Sequence, residues 1–127
     1  MPGVLAIIER GQRGAAETQF ADVLYLVREL NRQLGRVDLA LRGEAVACAL
    51  AGDGAPAIVV GGRALEDPPD PRRSVRALLD DGAAVLVDIE DLAALGLGVS
   101  RLLARTEPVD PQALVRRWSD YDGVWFL

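Results

Sequence analysis

The sequence predicts a three-layer α/β/α sandwich on a mainly parallel sheet of four or five strands, flavodoxin- or Rossmann-like, in a single domain over residues 1–127. Three observations carry that prediction. Short aliphatic runs alternate with stretches of helical period, which is the βαβ rhythm. One of those runs, Ala83-Ala84-Val85-Leu86-Val87, is apolar at every position, so both pleat faces need covering, as in a parallel strand between helices. Asp-Pro pairs at 70–71 and 110–111 supply the side-chain cap and first-turn proline with which helices start.

Taken in order, Val4 to Glu9 reads as the first strand and leads into a loop, Arg10-Gly11-Gln12-Arg13-Gly14. From Thr18 the pattern turns helical, with Phe20, Val23, Leu24, Val27, Leu30 and Leu34 forming one apolar stripe at steps of three and four. Asp22 early, Arg28 and Arg32 late, and Gly35 just past the end suit the helix dipole and a left-handed C-cap. Val37 to Leu41 is the second strand. After Arg42-Gly43-Glu44, the Ala-rich run Ala45 to Leu50 reads as a short packed helix. The stretch from Ala51 to Asp70 is irregular, rich in glycine and proline around Ile58-Val59-Val60, which reads as a brief extra strand in a functional or interface loop.

Asp70-Pro71 restarts the helix, Val75, Leu78 and Leu79 face inward, and Gly82 closes it before the strand ending at Asp88. Val99 to Ala104 reads as a helical turn, with a short strand within Arg105 to Val109. The last helix starts at Asp110-Pro111 with Leu114, Val115 and Trp118 on its buried face, Asp120 to Gly123 is a turn, and Val124 to Leu127 is the last strand. Right-handed crossovers then place the loops after Glu9, Leu41 and Val87 along one sheet edge. The residue just past a strand's carboxyl end faces the crevice where ligands bind, and at position 88 that residue is an aspartate.

Composition narrows the chemistry. The formal net charge is −5, with fourteen arginines, no lysine and nineteen acids. That balance argues against a nucleic-acid surface, which needs an excess of cations to neutralise phosphates. No apolar run approaches the roughly 20 residues that cross a bilayer, and the amino terminus lacks a signal pattern, so a cytoplasmic protein away from membranes is expected. Without histidine there is no Ser-His-Asp or Cys-His nucleophile and no imidazole metal ligand. Without lysine there is no Schiff base and no Walker lysine. The lone Cys48 excludes an internal disulfide, a CxxC pair and a thiolate zinc site. No cofactor and no metal are expected.

Several segments together resemble the DsrE/DsrF/DsrH-like family, which includes the TusB, TusC and TusD sulfur-relay subunits. They are Leu34-Gly35-Arg36-Val37, the Leu41-Arg42-Gly43-Glu44-Ala45-Val46 run, the helix-Gly-strand unit Leu78 to Val87, the turn Ala94-Leu95-Gly96-Leu97, and the closing Asp122-Gly123-Val124-Trp125-Phe126. The resemblance covers nearly the whole chain and implies a single DsrE-like α/β domain that assembles into a homo- or hetero-oligomer. The family's sulfur-carrying members have a cysteine just after the third strand. The matching stretch here is Asp88-Ile89-Glu90-Asp91, and a carboxylate cannot carry a persulfide, because the relay needs a thiolate that attacks and releases sulfur.

Each candidate site residue has two readings. Cys48, among Ala45, Val46, Ala47, Ala49 and Leu50, is a buried small hydrophobe or a displaced sulfur acceptor near Arg42. Asp88, Glu90 and Asp91 form an acidic mouth for a cation or a general base, or else one of them caps the following helix. Arg10, Gly11, Gln12, Arg13 and Gly14 are a solvated loop or an anion cradle of two guanidinium groups and flexible amides, although the GxGxxG and GxxxxGK[ST] spacings are missing. Trp118, Tyr121, Trp125 and Phe126 serve the core, a pocket or a subunit contact. Three functions follow: a non-catalytic or small-ligand-binding oligomer subunit linked to sulfur metabolism, a sulfurtransferase using Cys48, and an anion- or nucleotide-binding enzyme using the Arg10 to Gly14 loop with Asp88.

Overall fold

In the computed structural model the described residues are 3–9, 19–51, 58–60, 63–65 and 71–127. Five strands form one sheet: β1 (Val4–Ile8), β2 (Val37–Leu41), β5 (Val85–Asp88), β6 (Glu107–Val109) and β7 (Gly123–Phe126), in the order β6-β5-β2-β1-β7. Every pairing in it is parallel. Consecutive parallel strands need crossovers, and the helices α1 (Gln19–Leu34), α2 (Pro71–Asp80), α3 (Ile89–Ala94) and α4 (Pro111–Arg117) lie in those connections.

Alternation along the strands sorts the core into two layers. Ala6 and Ile8, Leu39 and Leu41, and Val85 and Val87 point to one face, where they pack with Leu24 and Val27 of α1, Val75 and Leu78 of α2, and Leu92 of α3. Leu5, Ile7, Ala40 and Leu86 point to the other, with Val109 of β6, and meet Leu114 of α4. The chain runs outward from β1 through β2 and β5 to β6, then returns past β1 to β7. A return in the opposite direction puts its helix on the opposite face if each crossover is right-handed, which is why α4, followed by Trp118 and Tyr121, covers the second face.

The short packed helix expected at Ala45 to Leu50 is present, of 3-10 type and spanning Gly43–Ala49. Several expectations need correcting. The Ile58-Val59-Val60 run, β3, pairs antiparallel with an unforeseen β4 (Arg63–Leu65) in a separate two-stranded sheet. Leu34 is exposed because it is the last residue of α1, and Val115 is 52% exposed because Leu114 takes the inward direction on a helix only seven residues long. Of the readings given for Phe126 the core one falls away, because the residue is 59% exposed near the end of the edge strand β7. The side chains of Phe20, Asp22 and Val23, the cap at Asp70 and the loop Arg10 to Gly14 lie outside the described residues.

One charged group is sealed inside this architecture. Asp38, in the middle of an apolar strand, is fully buried. Its Oδ1 accepts the Ala84 amide at 2.9 Å, and its Oδ2 accepts the Tyr121 hydroxyl at 2.7 Å and the Arg36 guanidinium at 3.1 Å. The cluster ties β2, the approach to β5 and the approach to β7 together, and it satisfies the carboxylate that burial would otherwise penalise.

Candidate functional site

The carboxyl edge of the sheet is the candidate site, since all five strands end there. The register aligns Ile8 with Leu41 and Leu41 with Val87, so Glu9, Arg42 and Asp88 form the next row. At a strand spacing of ~4.8 Å, the backbones at Glu9 and Asp88 stand about 10 Å apart with Arg42 between them. The parallel geometry thus gathers three residues that lie far apart in sequence.

Each member of the row is already engaged. The Arg42 guanidinium pairs with the Glu9 carboxylate at 3.3 Å, and the Arg42 amide donates to Ile8 O at 2.9 Å. Both side chains remain partly exposed, so the ion pair contributes at most ~1 kcal/mol and can be exchanged for an incoming anion. The Gly43 amide donates to Asp91 Oδ2 at 2.7 Å, clipping the start of the 3-10 helix to the first turn of α3. Gly43 has φ +53°, and a Cβ there would stand 2.8 Å from Glu9 O, so only glycine lets the chain pass this close to the end of β1.

Asp88 is the cap among the three acids of its stretch. It is 2% exposed, and its Oδ1 accepts the Glu90 amide at 2.9 Å and the Asp91 amide at 3.1 Å. It therefore does not present an open carboxylate to the crevice; the strand hands over to α3 within one residue, and the cap must sit at that corner. Asp88→Ala is expected to cost about 1–2 kcal/mol in urea melts and Asp88→Asn only a few tenths, because an asparagine oxygen accepts the same amides. Among the described residues, no three His, Cys, Asp or Glu side chains gather as metal ligands.

Cys48 sits in the 3-10 helix at 4% exposure, packed in the larger core layer. Arg42, at the strand end just before that helix, faces the rim. Arg10, Gly11, Gln12, Arg13 and Gly14 follow Glu9 in the chain but lie outside the described residues. Glu9 and the Gly43–Asp91 clip carried no signal of their own, since an acid after a strand and a glycine in a turn are common in loops.

No family model and no curated protein matches the sequence. Solved structures do. The ychN protein from E. coli superposes with a TM-score of 0.78 at 16% identity, covering 100% of both chains. The fold is DsrE-like. The DsrE-like arrangement also aligns with MTH1491 of Methanobacterium thermoautotrophicum, a protein of unknown function, at TM-score 0.66 and 17% identity over 98% of this chain and 99% of that one. BT1422 of Bacteroides thetaiotaomicron, likewise of unknown function, follows at TM-score 0.62 and 9% identity over 98% and 94%. At such identities the DsrE-like likeness is one of fold. Among the described residues no helix is long and apolar enough to cross a membrane.

Proposed function

We propose that this chain is a non-catalytic subunit of a DsrE-like oligomer that binds a small anionic ligand at the carboxyl edge of its sheet and works in sulfur metabolism without carrying sulfur itself. The observation that carries this reading is what stands at the end of β5. Where sulfur-carrying relatives are expected to hold a thiol, Asp88 spends its carboxylate on the amides of α3. A residue committed to a cap offers neither a nucleophile nor a persulfide carrier. Arg42 supports the anion part of the reading, as a partly exposed guanidinium whose present partner is a surface carboxylate.

The sulfurtransferase alternative needs Cys48 at a surface, and its burial at 4% exposure speaks against that. Incubation with a persulfide or polysulfide donor, whose outer sulfur a thiolate can take with release of the donor thiolate, is expected to leave the Cys48 mass unchanged in the native protein; a persulfide on that thiol would end the non-catalytic reading. For the ligand, inorganic phosphate, sulfate and thiosulfate are the probes. A bound anion at a hundredfold excess over its Kd stabilises the fold by about 2.7 kcal/mol, a rise of several degrees in Tm. Arg42→Ala is expected to abolish that rise, and an identical rise in the variant would remove the rim from consideration.

A further inference from the structure

The two edges of the sheet are built differently. β6 is guarded: it is three residues long, carries Pro108 at its centre, and its Glu107 is tied to Arg117 at 2.8 Å. β7 carries no charge and no proline. Trp125 is 38% exposed and Phe126 is 59% exposed. Phe126 also stands edge-on to Trp118, with ring centroids 5.8 Å apart, and Trp118 is one helical turn from the exposed Val115. The patch is therefore continuous from α4 onto the strand. Beside it, the Trp118 indole N–H is buried without an acceptor.

The main chain of β7 sets what fits. Leu127 N–H donates to Ile7 O at 3.0 Å, and the register aligns Trp125 with Ala6. Parallel ladders address their partner at every second residue, so Trp125 and Leu127 face β1 while Val124 and Phe126 turn their N–H and C=O outward. Among the described residues, β7 pairs with β1 alone. Backbone groups on an edge call for a strand, and an outward pair at positions 124 and 126 is self-complementary when run antiparallel.

We propose that β7 of one copy pairs antiparallel with β7 of a second copy about a two-fold axis at Trp125, joining the two sheets into one. Val124 of each copy exchanges both main-chain bonds with Phe126 of the other, and the two Trp125 side chains meet as a non-hydrogen-bonded pair on one face. A head-to-tail pairing of β7 with β6 would grow without closing, and Pro108 on the guarded edge opposes it. Area favours the second copy too. At their exposures Val115, Trp125 and Phe126 leave roughly 300 Å² of apolar surface in water, more than half of the roughly 450–500 Å² that one partner contributes to a standard interface.

This inference rests on the oligomeric reading above and adds the surface to it. Sedimentation velocity on the full chain and on Phe126→Asp tests it, together with mild oxidation of Trp125→Cys, whose partner thiols would lie about 4.5–5.5 Å apart between Cα atoms. The expected result is a dimer, or a multiple of one, for the wild type, with self-association weakened about 100-fold in Phe126→Asp. Trp125→Cys should yield a disulfide-linked dimer while the wild type, with its buried Cys48, yields none. A wild type that is oligomeric while Phe126→Asp keeps its mass and Trp125→Cys stays reduced overturns this surface and leaves the oligomer standing. A wild type that is monomeric at about 100 μM, far above the Kd of standard-size interfaces, overturns both. Should Phe126→Asp fail to fold by circular dichroism, the Trp125→Cys cross-link decides.

Discussion

Asp38→Ala is expected to lower folding stability by about 3–5 kcal/mol, measured by urea denaturation at neutral pH. The loss comes from the groups left behind. The Ala84 amide and the Tyr121 hydroxyl both donate to the removed carboxylate; the amide is left without that acceptor, and the hydroxyl keeps only its contact with the Arg117 guanidinium, which is itself a donor. The Arg36 interaction matters less, because that side chain is about half exposed and returns to water. Asp38→Asn is expected to fall between wild type and alanine, since it keeps the volume and one acceptor but brings an N–H₂ among donors. A cost below 1 kcal/mol for the alanine variant would mean the pocket fills with water or collapses.

The same cluster predicts an alkaline limb. Burial, and then the hydrogen bond to Asp38, push the Tyr121 hydroxyl from its ordinary value of 10.0 up to about 12. The unfolded chain ionises this tyrosine first, so the stability it supplies is complete below pH 10 and is lost as pH rises towards 12. Tyr121→Phe should therefore show a shallower fall in stability between pH 10 and 12 than the wild type. Equal slopes for the two proteins would show that the hydroxyl ionises as freely folded as unfolded.

Gly43→Ala is expected to cost about 2–4 kcal/mol, the second largest effect of a single substitution here. Two penalties combine. The residue sits at φ +53°, and its new Cβ would lie 2.8 Å from Glu9 O, a backbone atom that cannot swing aside. Gly96→Ala separates the two, because Gly96 has φ +77° but open space around it and should cost only about 1 kcal/mol. Gly43→Ala should also loosen the Asp91 clip and the Glu9–Arg42 row, so the anion-dependent rise in Tm should shrink with it. Similar costs for the two glycine variants would show that the close approach at Glu9 is dispensable.

Local pattern made much of this molecule readable. The uninterrupted apolarity of Val85 to Val87 demanded a two-sided interior strand, and the structure places it between β2 and β6 with helices on both faces. Asp110 caps α4 through Ala113 N at 2.8 Å, as the Asp-Pro pair announced. The apolar period of α1 located Leu24 and Val27 in the core. Periodicity failed where position rather than sequence sets burial: at Leu34 and at Val115, each on the margin of the packed layers.

The candidate site divides in the same way. From the sequence alone come the strands of the five-stranded sheet, their mainly parallel direction, the fold class, and the expectation that the residues after Glu9, Leu41 and Val87 share an edge, because hydrophobic period and crossover handedness are properties of short segments and of chirality. Only the tertiary structure decided that Asp88 is the one of the three acids that caps α3, that Arg42 faces Glu9, that Gly43 is clipped to Asp91, and that Asp38 accepts a hydrogen bond from a tyrosine 83 residues away. Apart from the Asp88 cap, those are hydrogen bonds and an ion pair between segments distant along the chain. Their partners are chosen by which elements the sheet brings within about 3 Å of each other, and nothing in the neighbouring residues encodes that distance.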